Sequence, residues 1–197
     1  MFSLPPPIQA LILTNVIVYM AQRLSDGLVG ALALWPMGSG AFGPWQPVTY
    51  AFLHGSFTHL AFNMFGLWMF GADLERVWGA KRLLALYAVS VLAAAAAQVA
   101  VAAMSGSVYP TVGASGGLFG ILVAFAMVFP TRKIMPLIPP IPMPAPVFVA
   151  LYGALELFFG VTGSFEGVAH FAHLGGLAAG WLLVRYWQGK PPFVRRG

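Results

Sequence analysis

A serine and a histidine that lie far apart in this chain are its strongest candidates for chemistry. Ser115 belongs to the run Gly113-Ala114-Ser115-Gly116, where an apolar helix is predicted to begin, and His173 lies near the start of another. A serine hydroxyl becomes a nucleophile when a general base within hydrogen-bond reach, roughly 2.6–3.2 Å, takes its proton. Together the two side chains would form a Ser–His dyad. Each alone has a structural alternative, since Ser115 can cap or pack a helix and His173 can bridge two helices.

Glycines at four-residue intervals would let the two helices meet. They occur in three pairs: Gly176 with Gly180, Gly113 with Gly117, and Gly116 with Gly120. Residues four apart share one face of a helix, so each pair leaves a groove into which another backbone can pack. Because His173 lies on the same face as Gly176 and Gly180, we expect this close packing to bring it to Ser115.

A second polar pair has the spacing of an oxyanion pocket. His59 and Asn63 are four residues apart in a predicted helix, so both side chains face one way. An imidazole N–H, a carboxamide NH2 and the backbone N–H of Ser115 at a helix start would together stabilise a developing negative charge. The structural alternative is a polar tie between helices.

No carboxylate is predicted to lie beside the base. Three acidic residues fall in a predicted loop or at a helix end: Asp26, Asp73 and Glu75. Glu156 is ionisable at membrane depth, which favours a function, but the sequence names no partner for it. We therefore expect packing to orient His173, with the ring of Phe119, four residues after Ser115, lying against the imidazole. Phe119 can equally be a plain core residue.

Composition indicates a membrane protein. Of 197 residues, 10 are Lys or Arg and 5 are Asp or Glu, while 59% are hydrophobic and the mean hydropathy is +0.83. So few charges exclude a disordered chain, a disulfide-stapled secreted domain and an ordinary cytosolic enzyme. The absence of cysteine excludes thiolate catalysis and Cys-ligated metal centres.

Apolar runs predict a single all-α membrane domain over residues 1–197, with six helices. They are expected at about 8–24, 58–72, 82–104, 113–129, 146–163 and 167–187. From Ser115 to Phe129 the fourth is only about 22 Å long, too short for a hydrocarbon core of about 30 Å. The irregular stretch before it must then be shielded by protein or line a water-filled cavity, and we predict such a cavity. We expect that cavity to open outward, with residues 113–116 at its floor.

The basic residues predict the orientation. All of them except Arg23 fall in the loops after the second and fourth helices or at the chain end. The positive-inside rule then places both termini in the cytoplasm, and the basic charge needs no nucleic-acid partner.

The ordered set of motifs resembles the rhomboid family of intramembrane serine proteases. The motifs are His59-x-x-x-Asn63, Glu75-x-x-x-Gly79, Gly113-x-Ser115-Gly116 and Ala172-His173-x-x-Gly176-x-x-x-Gly180, within a match from about Trp45 to Tyr186. Two positions depart from the family pattern. Trp45-Gln46 stands where Trp-Arg is frequent, and Phe119 stands where the ring is often Tyr.

The resemblance implies a six-transmembrane-helix serine endopeptidase of the bacterial inner membrane. It implies Ser115 as nucleophile, His173 as general base, and His59, Asn63 and the Ser115 backbone as oxyanion stabilisers, without cofactor or metal. It also implies that single-span membrane proteins are cut within or near the bilayer, so substrates and lipids are the expected partners. We expect substrate to pass the fifth helix, where Leu151, Leu155 and Phe158 are candidate gate residues.

Two other functions remain open from the sequence. A catalytically silent relative could bind membrane helices for quality control, although it would not need both Ser115 and His173. A metal-ion carrier could use His59, His170 and His173, although no H-E-x-x-H motif or co-ligand spacing supports it.

Overall fold

The chain is mostly helical. A computed structural model describes residues 4–136, 139–163 and 169–192. The α-helices are α1 (Pro6–Leu24), α2 (Asp26–Leu32), α3 (Gln46–Thr49), α4 (Phe57–Gly66), α5 (Ala72–Ser105), α6 (Ser115–Val128), α7 (Ala145–Thr162) and α8 (His170–Trp187). A π turn at Leu67–Gly71 joins α4 to α5, and the short strands β1 (Lys133–Ile134) and β2 (Met143–Pro144) pair antiparallel.

Each of the six predicted segments contains a helix in its described part, but the second and third are joined, and α2 and α3 lie outside the predicted segments. Residues 57–105 form one helical run that is broken at Gly79, which has φ 76° and ψ 168°. Glycine adopts this positive φ without the steric cost that a Cβ would add. The predicted break between residues 72 and 82 is therefore a sharp change of direction at one residue. The predicted start at residue 167 falls among residues 164–168, outside the described part.

The helices differ in their capacity to cross a bilayer. Within the described residues, Phe57–Ser105 and Ala145–Thr162 are long and apolar enough to span a membrane. Helix α6 has only 14 residues, about 21 Å of helix, and Pro130 follows soon after its end. The short fourth helix that the sequence predicts is therefore present, two residues shorter at its start than the predicted 113–129.

The long connection between α1 and α4 is tied down by hydrogen bonds. The buried side chain of Gln46 accepts from the backbone N–H of Trp35 at 3.1 Å and donates to the carbonyl of Ala41 at 2.9 Å. A backbone bridge of two hydrogen bonds, 2.9 and 3.0 Å, joins Leu34 to Thr111 just before α6. Gln46, the departure from the family pattern, thus anchors this loop through its amide.

Glu75 caps the first helix. Its Oε2 accepts a hydrogen bond from the backbone N–H of Ile8 at 3.1 Å, and Ile8 lies in the first turn of α1. The first N–H groups of a helix have no partner within the helix, so a buried helix start needs an acceptor of this kind. The carboxylate therefore links the start of α1 to the start of α5.

Helices α6 and α8 touch backbone to backbone through glycine. A Cβ placed on Gly176 would lie against the carbonyl of Gly116, and one on Gly180 would lie 2.6 Å from Cα of Gly120. Gly117 instead faces α5, where a Cβ would meet the ring of Tyr87. Close approach of this kind requires residues without a side chain at these positions of α8, while a Cβ on Gly116 or Gly120 would first meet Ala94 or Ser90 of α5.

Gly113 corrects one expectation. It precedes α6 rather than belonging to it, and its φ of 134° is in the range that favours glycine. A Cβ there would lie 2.8 Å from Cε1 of His59. Gly113 therefore makes room for a polar ring and takes no part in the glycine contact between α6 and α8.

The glycine contact generates a stability prediction. We expect Gly180→Ala to destabilise the protein by about 1–3 kcal/mol, because the new methyl group meets rigid backbone. The measurement is thermal unfolding of the protein solubilised in mild detergent.

Gly153→Ala on α7 is the matched control. A Cβ there would meet only the flexible end of Leu177, at 3.4 Å, so its unfolding temperature should be unchanged or slightly higher. Equal unfolding temperatures for the two variants would contradict the packing described here.

Candidate active site

Ser115 is the first residue of α6, and hydrogen bonds of the preceding backbone fix its position. The preceding Gly113 donates its N–H to the carbonyl of Tyr50 at 3.0 Å, and the hydroxyl of Tyr50 in turn donates to the carbonyl of Val91 at 2.9 Å. The first N–H groups of α6 have no acceptor within the helix and carry its positive dipole end. The serine hydroxyl thus lies beside backbone donors that suit a negative charge.

His173 meets Ser115 across the glycine contact. Its Nε2 lies 2.7 Å from Oγ of Ser115, a hydrogen-bond distance, and both residues are partly buried. In the tautomer with the proton on Nδ1, Nε2 accepts this bond from the hydroxyl. The arrangement is the one in which an imidazole can take the proton of a serine as the oxygen attacks.

Aromatic rings hold the imidazole in its plane. Phe119, one turn after Ser115 on α6, stacks on His173 with ring centroids 4.4 Å apart and planes 9° from parallel. Tyr152 of α7 stacks on the other face of Phe119 at 5.5 Å, and Phe148 continues the column at the same spacing. The orientation of His173 therefore depends on packing from both α6 and α7.

A carboxylate that the sequence left without a partner also reaches the imidazole. Oε2 of Glu156, on α7, lies 3.0 Å from Nδ1 of His173 and 2.6 Å from Nδ1 of His170. The expectation that no carboxylate lies near His173 is wrong. The contact with His170 is a hydrogen bond. The contact with His173 has the length of an ion pair, but the Nδ1–H is not aimed at the oxygen as a hydrogen bond requires.

One signal in the sequence could have found Glu156. An ionisable residue in an apolar helix is costly unless it is paired, so it marks a site by default. The sequence did not predict how α7 is rotated about its own axis. That rotation decides whether Glu156 faces His173 or another helix.

Of the two oxyanion candidates, His59 lies close to Ser115, and Asn63 is bonded to His59 on the same helix. The ring of His59 and the hydroxyl of Ser115 both lie within 3.5 Å of the point where a Cβ of Gly113 would be. Asn63 is buried, and its Nδ2 donates to the carbonyl of His59 at 3.1 Å. The carboxamide has a second N–H, so this bond leaves one donor for a ligand.

His54 is a further histidine that the sequence did not assign. It lies in the loop before α4, and its ring meets the ring of His59 edge to face, with centroids 5.0 Å apart. Burial, and then the proximity of His59, lowers the pKa of His54 to about 4. The ring is therefore neutral near pH 7 and supports His59 by contact rather than by charge.

One group among the described residues has the donor atoms for a metal ion. The ligand atoms of Glu156, His170 and His173 lie within 4.8 Å of one another. Nitrogen and oxygen ligands of a tetrahedral metal lie about 3.3 Å apart when each is about 2.0 Å from the ion. The 2.6 Å between Glu156 and His170 is shorter than that and fits a shared proton better.

Comparison with known proteins gives the family. The family model described as Rhomboid domain matches residues 41–188. The chain is 37% identical to Rhomboid protein 1, mitochondrial, of Saccharomyces cerevisiae over 142 residues, which are 69% of this chain and 40% of the yeast protein. It is 29% identical to Rhomboid protease GlpG of Serratia proteamaculans over 192 residues, 93% of this chain and 63% of that protein.

A third relative is Rhomboid protease GluP of Bacillus subtilis, 32% identical over 144 residues, which are 70% of this chain and 25% of GluP. The chain therefore spans less than two thirds of the length of each of these relatives. The matched region contains the serine, the histidine pair on α8 and the oxyanion candidates on α4. On this match, the chain belongs to the rhomboid family, whose members are integral membrane proteins.

Proposed function

We propose that the chain is an intramembrane serine endopeptidase that uses a Ser115–His173 dyad. The observation that carries this proposal is the 2.7 Å contact between Oγ of Ser115 and Nε2 of His173 at the start of α6. A serine that only capped its helix would point its hydroxyl at the backbone N–H groups of the first turn. Here the hydroxyl is directed at a base on another helix, which supports a nucleophile.

The proposed reaction has two steps. The Oγ of Ser115 attacks the carbonyl carbon of the scissile peptide bond while Nε2 of His173 accepts the hydroxyl proton. The imidazolium then gives that proton to the leaving amine nitrogen, so the C–N bond breaks and an ester with Ser115 remains. In the second step His173 takes a proton from water, which attacks the ester, and returns it to Oγ.

The negative charge of the tetrahedral intermediate needs donors on the side away from His173. Three groups are candidates for this role: the N–H groups at the start of α6, the ring of His59 beside Gly113, and the carboxamide of Asn63 one turn further along α4. Fixed donors that point at a developing oxyanion stabilise the transition state more than the ground state. We therefore assign His59 and Asn63 to the oxyanion pocket.

The proposed substrates are single-span membrane proteins, cut within or near the bilayer. Peptide hydrolysis needs water, and the short α6 would place Ser115 below the outer membrane surface, at the floor of a cavity open to that side. On this proposal the chain crosses the bilayer six times, with both termini in the cytoplasm of a bacterial cell. Helix α7 turns exposed apolar side chains outward, among them Leu151, Leu155 and Phe158, where a substrate helix can approach.

Covalent labelling tests the dyad. We expect a fluorophosphonate to label the detergent-solubilised protein at Ser115, and expect Ser115→Ala and His173→Ala each to abolish both labelling and cleavage of a membrane-spanning substrate. Labelling of Ser115→Ala or His173→Ala at the rate of the wild-type protein would overturn the dyad.

Ser90→Ala is the control for that experiment, because Ser90 is a fully buried serine on α5. It should be labelled at the rate of the wild-type protein. A folded wild-type protein that binds membrane helices but is not labelled would favour the catalytically silent alternative.

A kinetic experiment tests the oxyanion pocket. We expect Asn63→Ala to lower kcat about 10²- to 10³-fold with little change in KM, because a donor to the transition-state charge is lost. The measurement is cleavage of a fluorogenic membrane-spanning substrate in liposomes.

Asn15→Ala is the matched control. In the wild-type protein Asn15 makes the same kind of bond as Asn63, from Nδ2 to the carbonyl four residues earlier, at 2.8 Å. Its kcat should stay within about threefold of wild type, and an equal loss in both variants would point to a structural role for Asn63.

Cross-linking tests the path of the substrate. The chain has no cysteine, so a pair introduced at the exposed residues Phe62 on α4 and Leu155 on α7 can be joined selectively. We expect a short bifunctional maleimide to stop cleavage of membrane substrates while fluorophosphonate labelling continues, because the small reagent needs no helix movement. The single-cysteine variants, treated alike, are the controls, and unchanged cleavage after complete cross-linking would refute this path.

A further inference from the structure

A single carboxylate oxygen bridges two histidines behind the proposed base. Oε2 of Glu156 is 2.6 Å from Nδ1 of His170 and 3.0 Å from Nδ1 of His173. The three side chains are 8%, 10% and 12% exposed for His170, Glu156 and His173. They come from two helices, so the bridge holds α7 to α8 at the level of the dyad.

The family motifs do not account for this bridge. A buried carboxylate in an apolar helix is costly unless other groups donate to it or balance its charge. His170 alone would satisfy that need, because its hydrogen bond to Oε2 is short. The same oxygen is nevertheless also placed beside the nitrogen of His173 that faces away from Ser115.

We propose that Glu156 is a positioning residue for the base, which rests on the proposed function. Its negative charge favours the proton of His173 on Nδ1, and this leaves the lone pair of Nε2 for the hydroxyl of Ser115. His170 holds Glu156 in place from the other side. The dyad is thus completed by a carboxylate, with His170 as the support of that carboxylate.

The contact between Glu156 and His173 becomes stronger when His173 is protonated during the reaction. Once His173 has taken the proton of Ser115, its ring carries a positive charge and an N–H at each nitrogen. A carboxylate 3.0 Å away stabilises that imidazolium, and a small rotation would align the Nδ1–H with the oxygen. The contact is therefore worth more in the transition state than in the resting protein, which is the condition for faster chemistry.

No other described carboxylate lies at ion-pair distance from His173. The hydroxyl of Ser115 from α6 bonds to His173, and His59 from α4 is close enough to interact with it electrostatically. Tyr152 from α7 is close to Glu156. None of these carries a negative charge near neutral pH. Removing the charge of Glu156 therefore changes the one anionic contact of the base and leaves the stacked ring of Phe119 in place.

The test compares a variant that removes the charge of Glu156 with a variant that keeps it. We expect Glu156→Gln to reduce the rate of fluorophosphonate labelling by roughly 10²- to 10⁴-fold per folded molecule, the upper limit being the loss of the carboxylate in a serine protease triad. Glu156→Asp keeps the charge and should retain labelling within about tenfold of wild type. Labelling of folded Glu156→Gln within threefold of wild type would overturn the inference.

Glu75→Gln is the matched control. Glu75 is as buried as Glu156, at 6% against 7% exposed when the whole residue is counted, and the same change removes a charge at the start of α1 instead of beside the dyad. We expect Glu75→Gln to lower the unfolding temperature but to keep the labelling rate. An equal loss of labelling in both variants would show that any buried charge matters and would overturn a specific role for Glu156.

A spectroscopic readout does not depend on the folding of Glu156→Gln. In ¹⁵N-histidine NMR spectra of the wild-type protein near neutral pH, the signals of His173, identified by their loss in His173→Ala, should show the proton on Nδ1. A proton on Nε2 would refute the inference even if Glu156→Gln failed to fold. Absence of labelling in the wild-type protein would instead remove the proposed function, so the two failures are distinguishable.

Discussion

The close contact between α6 and α8 is the constraint on which the site depends. Gly176 and Gly180 of α8 lie against the backbone of Gly116 and Gly120, with no room for a side chain on α8 at those two positions. At that separation a short hydroxyl on one helix and an imidazole on the other meet at 2.7 Å. Larger residues would force the helices apart and move Ser115 out of hydrogen-bond reach. The glycines thus determine the distance between Ser115 and His173 although none of them belongs to the proposed dyad.

The polar groups of the site are few and are nearly all paired with one another. In an apolar interior a polar group without a partner is costly, so each one must be supported by a neighbour. Ser115 is supported by His173, His173 by the ring of Phe119 and the charge of Glu156, and Glu156 by His170. This chain of contacts fixes the orientation of the reacting groups before any substrate arrives, which is what preorganised catalysis requires.

The sequence predicted the features that local patterns determine. The limits of α6 and α7 and the glycine grooves follow from apolar runs and four-residue spacing, and the family follows from four ordered motifs. It did not predict the position of Glu156. The rotation of α7 about its own axis is set by packing between helices, and no periodic pattern in the sequence shows that rotation. Nor did it distinguish the role of Gly113 from those of the helical glycines, since only the backbone reveals its positive φ.

Helix α7 takes part in both proposals, the approach of the substrate and the support of His173. Its outer face is apolar and exposed at Leu151, Leu155 and Phe158, where a substrate helix would arrive. Its inner face carries Glu156 against the base and Tyr152 against the ring that stacks on the base. A displacement of α7 that admitted a substrate would therefore also change the support of His173. If both proposals hold, substrate binding and the orientation of the base would be coupled through α7.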